Sequence, residues 1–267
     1  MTSTLFDAQF RPKIARWPRP RSNERRGMTK SCSWMRKISV LAVATLLVGA
    51  ESPVPSWAAS PSVATATQSE TAARDFVIVM IGDSLTQGYG VRSEEAFPAL
   101  VEKRLREKLP ARITQQRRVR VINGGISGSV TAEADRRLKW YLKSKPDLVL
   151  IALGANDGFK GTPPSVMKAN LQKAIDLAKA EKLPVVLGGM RMLTNLGSDY
   201  VREFERVYKD LAKENQIELI PFLLEGVALE KKLNQSDMRH PNALGHQRIA
   251  ERVSEVLERM ILREVKP

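Results

Sequence analysis

Five short apolar runs, at residues 76–81, 119–122, 148–153, 185–188 and 218–220, recur along the chain with longer amphipathic stretches between them. Runs this short and this rich in Val, Ile and Leu predict strands buried on both faces, as in a parallel sheet. The intervening stretches carry apolar residues at helical spacing and predict helices over 97–109, 132–142, 165–181 and 199–215. In the second of these, Ala134, Leu138, Tyr141 and Leu142 form a stripe that belongs to the core. A last helix is predicted over 243–262, with Ile249, Val253, Val256 and Met260 or Ile261 on its buried face. Strands that alternate with helices imply right-handed crossovers and helices on both faces of the sheet. The expected fold is therefore α/β, a three-layer αβα sandwich on a five-stranded parallel sheet of order 2-1-3-4-5. That order sets the C-terminal ends of the first three strands side by side, where open α/β sheets place their chemistry.

Those three ends carry polar residues that suit one reaction. The first run leads into Gly82-Asp83-Ser84-Leu85 and then Gly88-Tyr89-Gly90, so Ser84 is displayed at the tip of a buried strand. A strand and a Gly-rich turn account for this much alone; the weight comes from three clusters downstream. A serine hydroxyl needs a base, and the base needs a carboxylate to fix its tautomer. Asp237-Met238-Arg239-His240-Pro241 supplies both, with Asp237 three residues before His240. The other histidine, His246, falls in the first turn of the last helix and has no carboxylate at comparable spacing. An oxyanion needs preset donors. Gly128, in the glycine-rich stretch after the second strand, offers a backbone amide, and Asn156, in Gly154-Ala155-Asn156-Asp157 after the third, offers a side-chain amide. An Asx-turn or helix cap is the plainer reading of Asn156-Asp157.

The order of these clusters resembles the SGNH or GDSL hydrolase family, over roughly residues 75–265. The likeness is greatest to its bacterial periplasmic thioesterase/lysophospholipase and arylesterase members. It implies a flavodoxin-like (SGNH hydrolase) fold, Ser84 as nucleophile, His240 as base and Asp237 as its partner. It also implies an oxyanion hole of the Ser84 and Gly128 backbone amides with the Asn156 side chain. Two departures stand out: Ser129-Val130 where relatives often have Asp-Thr, and Met238-Arg239 where Gly-Ile is commoner. The expected activity is a serine esterase acting on acyl esters, thioesters or lysolipids through an acyl-serine intermediate, with no cofactor. The alternative is a polysaccharide O-deacetylase of the cell envelope. An open groove flanked by aromatics would favour the alternative, and a narrow apolar cleft near Met190, Met192 and Leu193 would favour acyl substrates. A non-enzymatic envelope-binding protein on the same scaffold is the third reading.

Composition narrows the remaining classes. Of 267 residues 43% are hydrophobic and 27% charged, enough for one sizeable core and no evident second domain. One cysteine, Cys32, excludes an internal disulfide, and two histidines without metal spacing argue against zinc. Neither a Gly-x-Ser-x-Gly elbow nor a P-loop occurs.

At the N-terminus, Met35-Arg36-Lys37 precedes the small and apolar residues 38–50, and Ser56-Trp57-Ala58-Ala59 follows. This is the layout of a secretory signal peptide cleaved after Ala58, an uncleaved anchor being the alternative. Residues 1–34 are long and proline-containing for a signal's basic start, so Met28 or Met35 is the expected first residue; Arg25-Arg26 fits a twin-arginine signal poorly. The division expected is a basic extension and signal at 1–58, a small, polar linker at 59–74 and a hydrolase domain at 75–267, exported to the periplasm or beyond. Residues 1–58 hold ten Lys or Arg and three Asp or Glu, so they carry half of the net charge of +14. That removes most of the case for nucleic-acid binding. The surplus on the remainder favours transient contact with an anionic membrane surface, by a chain expected to act as a monomer. Arg117-Arg118 and Lys103-Arg104 read as solvated ends and faces.

Overall fold

Phe76–Gly82 forms strand β1, and all seven of its residues are buried, which is what a central strand covered by helices on both faces requires. The computed structural model describes residues 74–192 and 196–264. The expected signal segment, nearly all of the linker and Leu193 lie outside them. β1 pairs in parallel with β2 (Val119–Gly125) on one side and β3 (Leu148–Ala152) on the other; β4 (Val185–Gly188) and β5 (Glu218–Ile220) complete the sheet. The order is β2-β1-β3-β4-β5, the flavodoxin-like order expected.

The helices are α1 (Ser84–Gln87), α2 (Phe97–Lys108), α3 (Ala111–Thr114), α4 (Ala134–Tyr141), α5 (Ala155–Phe159), α6 (Pro164–Ala180), α7 (Ser198–Asn215) and α8 (Ala243–Glu264). α2 packs on α8, while α4 packs on α6 and α6 on α7. The stripes responsible are plain: α7 buries Phe204, Val207, Tyr208 and Leu211, and α8 buries Ile249, Val253, Leu257 and Ile261.

Three details depart from the expected elements. β2 runs on through Asn123-Gly124-Gly125, because parallel pairing places Gly125 opposite Gly82 and carries the ladder to the tip of β1. The segment expected as one helix over 132–142 is a 3-10 turn at Thr131–Glu133, α4, and a second 3-10 turn at Leu142–Ser144. Arg117 is not a solvated end. Its guanidinium donates to Asp147 at 2.7 Å and to the Asp75 carbonyl at 2.9 Å, and lies over the Phe76 ring at 5.1 Å. Arg74, the last residue of the expected linker, donates to the same carboxylate at 2.6 Å, and Asp147 also accepts the Val77 N–H. The cluster ties the entry of β1 to that of β3. Arg104 likewise pairs with Glu251 of α8 at 2.7 Å.

Candidate active site

The C-terminal tips of β1, β2 and β3 end level, with Gly82 opposite both Gly125 and Ala152. At the tip of β1 the chain turns at once into α1. A Cβ on Gly82 would run into the Thr86 side chain, which favours glycine at this turn. Asp83 caps α1, its Oδ1 accepting the Leu85 N–H at 3.0 Å. Burial pushes the Asp83 carboxyl up to about 6, against the opposing pull of the Leu85 N–H and its own. Ser84 is the first residue of α1, so its N–H has no acceptor within the helix.

Opposite Ser84 stands the loop before α8. His240 Nε2 lies 3.0 Å from Ser84 Oγ, and His240 Nδ1 lies 2.6 Å from Asp237 Oδ2. The other oxygen of Asp237 accepts the N–H groups of Arg239 and His240 at 2.9 and 3.0 Å. These contacts, led by the ring of His240, hold the Asp237 carboxyl well below the usual carboxylate range. To close this loop Met238 adopts φ +56, a left-handed conformation that costs a non-glycine residue about 1 kcal/mol or more. That is the position where relatives commonly have glycine. Gln235 secures the loop from behind: its N–H donates to the His240 carbonyl, and its side-chain amide donates to the carbonyls of Tyr89 and Pro241.

His246 occupies a different world. It is 1% exposed in the first turn of α8, its Nδ1 accepts the Phe97 N–H at 3.2 Å, and burial lowers its pKa to about 4.

Gly128 has φ +80 with open space where a Cβ would project, so the backbone conformation rather than crowding favours glycine there. Its N–H has no protein acceptor among the described residues. Asn156, in the first turn of α5, faces the same cleft as Ser84 and His240. Its Nδ2 donates to the Ser129 carbonyl at 3.0 Å and lies 3.4 Å from Asp83 Oδ2. The amide is thus held between the Ser84 turn and the Gly128 loop. Asp157 reinforces that link, its buried carboxylate accepting from the Thr131 N–H and hydroxyl at 2.8 and 2.6 Å. Where Ser129 replaces the commoner aspartate, its hydroxyl is buried with no hydrogen-bond partner among the described residues.

Two contributors escaped the sequence reading. Arg137 of α4 is buried, and its guanidinium donates to the carbonyls of Gly82, at 2.9 Å, and Gly124. Gly82 also accepts the Ile126 N–H, so Arg137 fastens the tips of β1 and β2 beneath Ser84 and the Gly128 loop. Its place three residues after Ala134 on the apolar stripe was the available signal. Tyr89 places its ring 4.7 Å from that of His240, and nothing in Gly88-Tyr89-Gly90 announces this.

The cleft is about 500 Å³. Beyond Ser84, Asn156 and His240, its wall is mostly apolar, with Met190, Met192, Phe222, Leu224 and Leu229 prominent and two arginines, Arg191 and Arg239, among them. Among the described residues no group of acidic, His and Cys side chains is arranged to hold a metal ion. An aligned hydroxyl, imidazole and carboxylate, with amides free or side-on to the same space, is equipped for acyl transfer.

Comparison with known proteins bears on the fold and the class of reaction. The model of the GDSL-like Lipase/Acylhydrolase family matches residues 80–248. A protein of Vibrio mimicus named arylesterase is 39% identical over 181 residues, 67% of this chain and 87% of its own. "Thioesterase 1/protease 1/lysophospholipase L1" of Escherichia coli is 31% identical over 69% of this chain and 84% of its own. Among solved structures, the psychrotrophic esterase EstA of Pseudoalteromonas sp., inhibited by monoethylphosphonate, superposes with a TM-score of 0.63 at 28% identity, covering 70% of this chain and 99% of that one.

Proposed function

The chain belongs to the GDSL-like lipase/acylhydrolase family and is an ester-bond hydrolase, and on that premise we propose that it works through a covalent acyl intermediate on Ser84. The observation that carries this reading is the continuous line from Ser84 Oγ through the His240 ring to Asp237, at 3.0 and 2.6 Å. Asp237 accepts from Nδ1–H and so leaves Nε2 with its lone pair toward Ser84. As Oγ attacks the ester carbon, Nε2 takes the hydroxyl proton. The carbonyl oxygen becomes an oxyanion, met by the N–H groups of Ser84 and Gly128 and by the Asn156 amide, which turns toward it from its present contacts. The tetrahedral centre collapses, the C–O or C–S bond to the leaving group breaks, and His240 returns the proton to that group. A water then gives its proton to Nε2 and attacks the acyl carbon, the bond from that carbon to Oγ breaks, and His240 returns the proton to Ser84.

The apolar cleft beside Met190 and Met192 suits an acyl chain better than a polysaccharide. We therefore favour acyl esters and thioesters over the envelope deacetylase, in line with the names of the relatives. Export follows, as a proposal, from the basic, apolar and small-x-small order of residues 35–59; the mass of the protein recovered from the periplasm or medium tests it. For the chemistry, Ser84→Ala should lower kcat on p-nitrophenyl esters by about 10⁵ and abolish labelling by a fluorophosphonate. Wild-type rates in that variant would refute the acyl-serine scheme.

A further inference from the structure

Arg239 lines the cleft directly beside His240. Its guanidinium carbon lies 5.5 Å over the Phe159 ring, and its backbone N–H donates to Asp237 Oδ1. The carboxylate that orients His240 therefore also anchors the backbone of Arg239. The guanidinium forms no ion pair among the described residues. A guanidinium stacked on an aromatic face keeps its N–H edges for a second partner, and those edges match carboxylate or phosphate in a two-point contact.

The other arginine of the cleft makes a useful contrast. Arg191 also stacks on a wall residue, Phe222, at 5.1 Å, but Glu225 stands 3.7 Å from it and offsets much of its charge. Of the two, Arg239 is the one whose guanidinium pairs with no carboxylate among the described residues, and it stands one residue from the imidazole that hands a proton to the leaving group. In the proposed reaction His240 hands its proton to the leaving group, so that group lies beside His240 and within the part of the cleft that Arg239 lines.

We propose that Arg239 is a specificity-determining residue that selects esters and thioesters whose leaving group carries a phosphate. The inference rests on the preceding reading, in which His240 protonates the leaving group. Two matched pairs test it: hexanoyl-coenzyme A against S-hexanoyl-N-acetylcysteamine, and 1-hexanoylglycerol 3-phosphate against 1-hexanoylglycerol. Within each pair the bond broken and the acyl chain are the same; the glycerol pair differs by the phosphate alone, and the thioester pair by the whole phosphorylated nucleotide arm of coenzyme A. In low salt the wild type should favour the phosphorylated member of at least one pair in kcat/KM, and the pair that shows it identifies whether a nucleotide or a glycerol carries the anion. Arg239→Gln should cut that preference about tenfold, the size expected of a charge-assisted contact. Arg239→Lys should retain part of it, Arg191→Gln most of it, and 0.5 M salt should erode it in the wild type. The same preference in Arg239→Gln as in the wild type, or no preference in either pair, would overturn the inference. Those results leave the acyl-serine scheme standing as long as Ser84→Ala is inactive, so the two readings fail separately.

Discussion

Two histidines six residues apart in this chain have opposite surroundings. The loop that carries His240 is open to the cleft: its ring touches Ser84 Oγ on one side, a carboxylate on the other and the Tyr89 ring on its face. The first turn of α8 encloses His246, stacks it near Phe97 and gives it a single backbone N–H to accept. The first ring has partners suited to both gaining and losing a proton; the second has a partner that only a neutral ring can satisfy. What separates a reacting imidazole from a packed one is therefore the set of groups around it, and six residues suffice to change that set completely.

The strongest way to break the comparison is to delete each ring in turn. His240→Ala should reduce kcat by about 10⁵, comparable to loss of the nucleophile, with little change in stability because the ring lies at the cleft surface and fills no part of the core. His246→Ala should leave kcat within a few-fold and instead lower the unfolding free energy by about 2–4 kcal/mol, from the cavity left beside Phe97 and its unsatisfied N–H. Steady-state kinetics and urea unfolding on both variants decide this. A large kcat loss in the His246 variant, with normal folding, would reverse the roles.

The next effect concerns the donors facing His240. Asn156→Ala should cost about 10²–10³ in kcat, as loss of one preset oxyanion donor does elsewhere, with KM little altered. Its amide now donates to the Ser129 carbonyl, and that bond also links α5 to the Gly128 loop. A fall confined to KM, or a loss of folding matching the loss of rate, would show that Asn156 only holds the loop.

How much of this was legible varies with the kind of feature. The five strands were plain because each is a short, mainly apolar run, and their alternation with helices implied a parallel sheet. The extension of β2 through Gly124 and Gly125 was hidden, since glycine favours no strand by itself and only pairing with β1 draws it in. The positions of Ser84 and Asn156 at strand tips could be read, for each follows an apolar run. The hold on those tips could not. Arg137 sits on a stripe read as apolar, and its purpose emerges only when two strand-end carbonyls are seen to converge on it. Arg117 looked solvated for the same reason, because its carboxylate partner is thirty residues away.

The smallest effect comes from acid, and it separates the two histidines without removing the reacting one. Burial lowers the His246 pKa to about 4, below its ordinary 6.5, so the unfolded chain binds that proton more readily than the folded one. The stability linked to His246 is full above pH 6.5 and is lost as pH falls toward 4, by about 3 kcal/mol. Asp83 has the opposite sign. Its carboxyl is raised from 3.8 to about 6, so its linked stability is full below pH 3.8 and is lost as pH rises through 6, again by about 3 kcal/mol. The two slopes oppose each other across the same interval, and wild-type stability should vary little between pH 4 and 6.5. His246→Asn removes one of them. Its stability, lower throughout, should rise as pH falls across that interval, which urea midpoints at several pH values will register. Parallel profiles for variant and wild type would mean that the buried ring is not held neutral by its surroundings, and the contrast with His240 would lose its physical basis.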